Sequence, residues 1–393
     1  MDDKHQLIVL LTLLIVPLSG LGIDIFVPSL PAITDHFSAD TSVVQLSVSV
    51  YILGYALFQT IWGTLADSFG RRRLILIGLS GVTITCLLIP FSINIGMLLG
   101  LRFLQGVFVE PVGILSRVLL SDTFKGNELS RFSNYLTITW AIGPIIAPFI
   151  GGYLQNYLGW KASFFFLAAY SFILLIILFI KLPETHTNPI PLVFSCIKAS
   201  YQAVLTHSEF LSLVIVMSLS YGAMAIFNVM GPFLIQTTLG FSAITFGYVA
   251  LYMGVAWFIG SLFNRWLTSR YPIDAIVIVT FVFLLIAEIA LLLFSFFSFQ
   301  LWTLITPTWL IFMTSSIIFS NLFARCMVLF KDKAGTSSGV MGTLFSGGAG
   351  VISALASLLH TQTPVPMALS YLALLVVCLV LYGRVFIQSR WQG

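Results

Sequence analysis

The chain is a succession of long apolar runs with short polar breaks. A helix that crosses the hydrocarbon core of a bilayer needs about 20 apolar residues. Runs of that length, bounded by charged residues, Pro or Gly, recur near 7–30, 43–66, 74–92, 96–120, 132–155, 162–181, 209–235, 243–267, 273–295, 301–324, 336–359 and 367–387. None alternates apolar with polar positions as a barrel strand would, so twelve helical spans are predicted. The longest polar gap follows the sixth run and holds Pro183, Glu184, His186, Pro189, Pro191 and Lys198. It separates an N-terminal half, 1–181, from a C-terminal half, 209–393, through a linker, 182–208, whose stretch 192–205 reads as a short helix lying on the membrane. The expected fold class is therefore an all-α membrane protein of 12 transmembrane helices in two pseudo-symmetric six-helix halves, an arrangement found in internally repeated secondary transporters.

Composition removes the alternatives. Of 393 residues, 59% are hydrophobic and 8% charged, where a soluble chain carries about a quarter charged residues. No single soluble core hides that much apolar surface, which excludes a cytosolic enzyme, a nucleic-acid binder and a disordered chain. The net charge of +4 matters through its distribution. Lys4, Arg71, Arg72, Arg73, Lys125, Arg131, Lys181, Lys198, Arg265, Arg270, Lys331, Lys333, Arg384 and Arg390 fall on one side of a twelve-span topology, and Lys161 alone on the other. By the positive-inside rule both termini are expected in the cytoplasm. Met1 to His5 followed by an uncleaved apolar run reads as a first span, not a signal peptide. The scattered Cys86, Cys196, Cys326 and Cys378, and histidines only at or beyond span ends, predict no disulfide framework, no metal site and no cofactor.

Four segments carry candidate chemistry. The first is Gly63-Thr-Leu-Ala-Asp67-Ser-Phe-Gly70-Arg71-Arg72-Arg73 between spans two and three. A positive-inside cluster accounts for the arginines but not for an acid in the last turn of a helix, where the dipole disfavours it; Gly63 and Gly70 would permit close approach and a tight turn. The second is Arg102-Phe-Leu-Gln105-Gly106 in span four. An arginine this far into a span faces a cavity or an acid, or else snorkels to the surface. The third, in span five, contains Gly143, Pro144, Pro148, Gly151 and Gly152, a pattern that permits bending or a close helix seam. The fourth is Asp24 in span one, seven residues before Pro31; like Arg102 it should lie about 10 Å below the outer surface, so the two are candidates to meet. Glu110, two turns above Arg117, has three open readings: a second proton site, a counter-charge to a cationic substrate, or a partner for Arg117.

These motifs bring a resemblance into view. The first segment resembles the cytoplasmic signature GxLaDrxGrkxxl of the major facilitator superfamily, the second its span-four RxxqGxg motif, and the third its antiporter motif. The stretch from Asp24 to Pro31, Ser116-Arg117 with Asp122, and Gly231-Pro232-Phe233 resemble the Bcr/CflA branch of twelve-span drug:proton antiporters. Phe108, Val109, Glu110 and Pro111 depart from that branch, which usually has small residues there, and Phe227-Asn228 stand where it often has Tyr. The resemblance implies alternating-access export of a small organic molecule, a drug or an endogenous metabolite such as a siderophore, driven by protons, and no enzymatic activity. A proton-coupled uptake symporter is the rival. The resemblance further implies Asp24 and Arg102 as proton-coupling residues, and Glu110, where the chain departs from the branch, is a further candidate for that role. Gly63, Asp67, Gly70, Arg71 and Arg72 would form a conformational gate, and Glu288 in span nine would be peripheral. Tyr51, Tyr55, Gln59, Gln105, Tyr221, Asn228, Tyr252 and Asn321 would line a substrate cavity, with helix packing the competing role for each. The partners expected are the substrate, protons and the lipid bilayer, with no nucleic acid, for a monomer in a bacterial inner membrane.

Overall fold

A computed structural model describes residues 3–185, 205–329, 334–359 and 362–391, with no side-chain placement at residues 3, 4, 67, 130, 137, 141, 334–338 and 388–391. Among the described residues, twelve helices are long and apolar enough to cross a membrane. They are His5–Phe37, Thr41–Ala66, Arg71–Phe91, Ile95–Thr123, Gly126–Leu158 and Lys161–Lys181, then Ser208–Thr238, Ala243–Thr268, Ile273–Phe297, Leu301–Leu329, Gly339–Ser357 and Val365–Ile387. They are called spans one to twelve below. The chain forms two compact units, Met1–Phe194 and Ser195–Gly393. The expected surface helix at 192–205 lies almost wholly outside the described residues, as do Cys196, Lys331, Lys333 and His360.

Local chemistry sets the span ends. Asn94 caps span four, its Oδ1 accepting from the Met97 N–H at 2.8 Å, and Ser242 Oγ accepts from the Thr245 N–H at 3.2 Å to open span eight. Gly70 joins spans two and three at φ +91°, and Gly159 joins five and six at φ +81°, backbone that a side chain resists. Span one is longer than its apolar run predicts because it is three helical pieces. Pro17 opens the second piece, which ends at Asp24; a 3-10 turn, Val27–Ser29, follows; Pro31 then sits in the first turn of Leu30–Phe37. Proline is tolerated at a helix start but cannot donate within one. Span five, by contrast, runs unbroken through Pro144 and Pro148.

In the N-terminal unit, spans two and four touch backbone to backbone. A Cβ on Gly106 would collide with the Tyr51 carbonyl oxygen and lie 3.0 Å from the Tyr55 nitrogen; one on Gly54 would collide with the Phe103 carbonyl. The span-five glycines form a seam on span one. A Cβ on Gly143 would lie 3.2 Å from the Pro17 carbonyl, one on Gly151 would strike the Ile25 carbonyl, and Gly20 meets the Pro144 ring. The seam expected of this motif is therefore present. Gly63 differs from these glycines: a Cβ there would meet nothing within 4 Å among the described residues, so it makes no close approach within its own unit.

Gly106→Ala should therefore lower stability by about 1–3 kcal/mol, because backbone must move, while Gly63→Ala should melt like the parent. Thermal denaturation in detergent, followed by monodisperse fraction, reads both.

Candidate functional site

The N-terminal unit encloses a charge. Arg102 is 0% exposed, which excludes snorkelling. Its Nη1 donates to the Gly22 carbonyl of span one at 2.9 Å and to Gln105 Oε1 at 2.5 Å, and its Nε donates to the Ser47 carbonyl of span two at 3.3 Å. The guanidinium lies 4.0 Å from the Phe26 ring centre and 4.2 Å from that of Tyr51, a double cation–π contact. Gln105 in turn donates to the Cys86 sulfur of span three at 2.9 Å. One guanidinium thus joins spans one, two and four directly and span three through Gln105. Its Nη2 finds no acceptor among the described residues.

Asp24 is 2% exposed and stands within electrostatic reach of Arg102, at the end of the middle piece of span one. The break at Val27–Ser29 places it there, and the Gly151 seam holds the adjacent Ile25 carbonyl. The sequence brings Asp24 and Arg102 to one depth; the fold brings them to one site.

Glu110 is 0% exposed, and neither carboxylate oxygen has a hydrogen-bond partner among the described residues. Tyr55 faces it without a well-formed bond, and the Arg117 side chain is exposed. No hydrogen bond or ion pair joins Glu110 to Arg117 among the described residues, although Arg117 lies within electrostatic reach of it. A Cβ on Gly113 would sit 3.9 Å from Glu110 Oε2 and 3.8 Å from Ser19 Cβ, so Glu110 looks toward span one just beyond Pro17.

At the positively charged end of this unit the gate residues divide. Arg71 Nε donates to Asp122 Oδ2 of span four at 3.3 Å. The Glu184 carboxylate, beyond span six, accepts from the Arg71 and Arg72 backbone N–H groups at 2.9 and 3.2 Å. An anion at a helix N-terminus is stabilising, so Glu184 caps span three from 112 residues away. A Cβ on Gly70 would lie 2.6 Å from that carboxylate, the tight packing expected of this glycine. Arg72 donates to the Phe179 carbonyl at 2.7 Å. The Asp67 side chain lies outside the described residues.

The C-terminal unit has its own end cluster. Arg325 of span ten donates to Glu209 of span seven at 2.7 Å and to Asp274 of span nine at 3.0 Å, and Tyr382 of span twelve donates to the same Asp274 oxygen at 2.6 Å. Arg71–Asp122 and Asp274–Arg325 are both 51 residues apart, so the two repeats carry one ion pair with its charges exchanged. Sequence reasoning missed this pair; the equal spacing with opposite sign was its signal. Of the predicted cavity residues, Tyr51 and Gln105 belong to the Arg102 network, and Tyr55 faces Glu110. Tyr221 packs among Trp257, Phe319 and Phe345. Tyr252 stacks on Trp309 and is exposed. Asn321 donates to Asn264 Oδ1 at 2.6 Å, and both are buried. Asn228 is buried, whereas the Gln59 side-chain oxygen has no partner among the described residues. Glu288 is buried near Tyr371 and Cys378. No cluster of metal-ligating side chains occurs among the described residues.

Comparison with known proteins agrees with this architecture. The family model described as Major Facilitator Superfamily matches residues 12–354. The chain belongs to the Major Facilitator Superfamily. It is a multi-pass membrane transporter, not an enzyme. A bicyclomycin resistance protein homolog of Haemophilus influenzae is 26% identical over 392 residues, covering 99% of this chain and 98% of that protein. Multidrug resistance protein D of Escherichia coli is 23% identical and covers 95% of each chain. Chloramphenicol resistance protein CraA of Acinetobacter baumannii is 22% identical, over 87% of this chain and 83% of that one. These names fit the resemblance to the Bcr/CflA branch. Among solved structures, a bacterial homolog of the human lysosomal transporter Spinster, inward-facing and occupied, superposes with a TM-score of 0.78 at 15% identity, covering 99% of this chain and 98% of that one; this shows a common fold.

The Arg325 cluster is partly exposed, so its ion pairs are screened. Arg325→Gln should cost about 1 kcal/mol, seen as a modest fall in melting temperature that shrinks in high salt; Arg325→Lys should recover part of it.

Proposed function

We propose that this transporter exports a small organic molecule in exchange for protons, by alternating access, with Asp24 as the principal proton carrier. The observation that supports this most is the Arg102 knot: one buried guanidinium fastens the broken segment of span one to spans two and four beside a buried carboxylate. A charge change at Asp24 alters its attraction to Arg102 at the place where span one is discontinuous. Nη2 is the donor available to an ionised Asp24 or to a polar group of the substrate. Differential interaction of this kind lets proton occupancy bias conformation.

Glu110 is the second proton site in this reading. A group that repeatedly gains and loses a proton is hindered by a permanent hydrogen-bonded ion pair, and Glu110 makes none among the described residues. Asp67, Arg71 and Arg72 act as the gate, and the span-five seam transmits movement of span one. The substrate is drug-like or an endogenous metabolite; resistance names among the relatives favour an antibiotic-like molecule and the export direction. In this reading the protein works as a monomer in the bacterial inner membrane, and the distribution of Lys and Arg supports both termini on the cytoplasmic side.

The deciding experiment uses vesicles carrying an imposed pH gradient. Asp24→Asn keeps the shape and a hydrogen-bonding group, so the protein should fold and still bind a neutral substrate. Uphill accumulation and substrate-triggered proton release should both disappear. Retention of both by the Asn variant would place coupling elsewhere.

Glu110→Gln should leave the melting temperature close to the parent's, since it breaks no hydrogen bond or ion pair among the described residues, yet reduce the protons released per substrate bound. Calorimetry in two buffers of different ionisation enthalpy counts those protons directly.

A further inference from the structure

Outside the site described above, the N-terminal unit carries an open cavity of about 940 Å³, lined by Arg73, Leu76, Ile77, Ser80, Gly81 and Ile84 of span three, Phe108 of span four, and Leu175, Ile176, Phe179 and Ile180 of span six. Its walls are apolar except for Ser80 and for Arg73 at one end. The small residues make the space. Ser80 leaves a gap on the span-three face, and Gly81 lets the Phe108 ring lie against the helix backbone as the floor, where any Cβ would collide with it.

The cavity has the length of one leaflet. Eleven residues separate Arg73 from Ile84 along the helix, about 16 Å at the α-helical rise, and half of a hydrocarbon core is about 15 Å. Arg73 stands at the polar end, where span three begins, and Ile84 near the bilayer midplane. Along the groove Ile77, Ile84, Ile176 and Ile180 are exposed, so it opens outward.

The three consecutive arginines have divided their work. Arg71 turns inward to Asp122, and Arg72 bonds the Phe179 carbonyl across the groove end. Arg73 is exposed and is held by no hydrogen bond or ion pair among the described residues. Glu184, the nearby carboxylate, already caps the N–H groups of Arg71 and Arg72. Lys181, next to the groove residue Ile180, adds an exposed cation at the same end. The result is an acyl-length apolar trough headed by positive charge that no group among the described residues neutralises.

We propose that this groove is a binding site for an anionic glycerophospholipid of the leaflet on the Arg73 side, one acyl chain lying along span three over Phe108 and the phosphodiester on Arg73. Charge complementarity selects an anionic headgroup over a zwitterionic one, and groove depth selects a chain over a free anion.

The test uses the full-length protein in mild detergent with native mass spectrometry. Phosphatidylglycerol, phosphatidylcholine with the same acyl chains, and inorganic phosphate are added separately. One tightly held phosphatidylglycerol is expected, preferred over phosphatidylcholine by about fivefold, the weight of one Arg near a membrane surface. Arg73→Gln should abolish the preference. Ser80→Trp, which fills the groove and keeps Arg73, should lose the bound lipid. Should that variant fold poorly, phosphatidylglycerol with a photoreactive acyl chain, applied to the parent protein, should label residues 76–84 and 175–180. Equal retention of the two lipids, labelling spread evenly over the unit's surface, or displacement of the lipid by inorganic phosphate would overturn the proposal.

Discussion

A guanidinium in the middle of a hydrocarbon-spanning unit is the constraint on which the rest of this half depends. Leaving such a charge without partners costs several kcal/mol even after relaxation. Arg102 is satisfied by backbone carbonyls of two other spans, by Gln105 and by two aromatic faces. Carbonyls of intact helices are occupied within their own helix, so the acceptance at Gly22 is favoured by the break that follows Asp24. The prolines of span one and the arginine of span four therefore answer each other. One supplies irregular backbone inside the membrane, and the other makes that irregularity tolerable.

Holding the arginine in place requires helices closer together than large side chains allow. In lipid there is no hydrophobic drive between helices, and small residues let packing and polar contacts do the joining. Gly54 and Gly106 bring spans two and four to backbone contact, and Gly20, Gly143 and Gly151 do the same for spans one and five. These seams converge on the segment that carries Asp24. In the proposed mechanism a change in charge there is transmitted through rigid contacts, because backbone set against backbone has no side-chain slack to absorb it.

The two units spend their polar residues differently. The N-terminal unit buries Arg102, Asp24 and Glu110, while the C-terminal unit buries an Asn264–Asn321 pair, Glu288 and a Tyr221-centred aromatic cluster. At their ends they share a design, an ion pair between the third and fourth span of each repeat, with the signs exchanged. Equal spacing with opposite polarity shows that the repeat preserves the interaction rather than the residue.

Much of this was legible in the chain itself. Twelve apolar runs fixed the spans, because hydrocarbon thickness dictates their length whatever the sequence between them. The motifs around Asp67, Arg102 and Gly143, read with the lone acid Asp24, marked the chemistry, because charge and paired prolines are costly in a membrane and persist only with a reason. What the sequence left open were matters of partnership. Whether Arg102 snorkels, whether Glu110 belongs to Arg117, and whether Gly63 is a contact each depend on which helix faces which. Helical spacing assigns a residue to a face of its own helix but not to a neighbour. Glu184 capping span three from beyond span six, and Arg73 left over to head an apolar trough, were decided only when non-adjacent spans came together. In a membrane protein every helix is apolar, and only side-chain fit and a few polar contacts distinguish one neighbour from another.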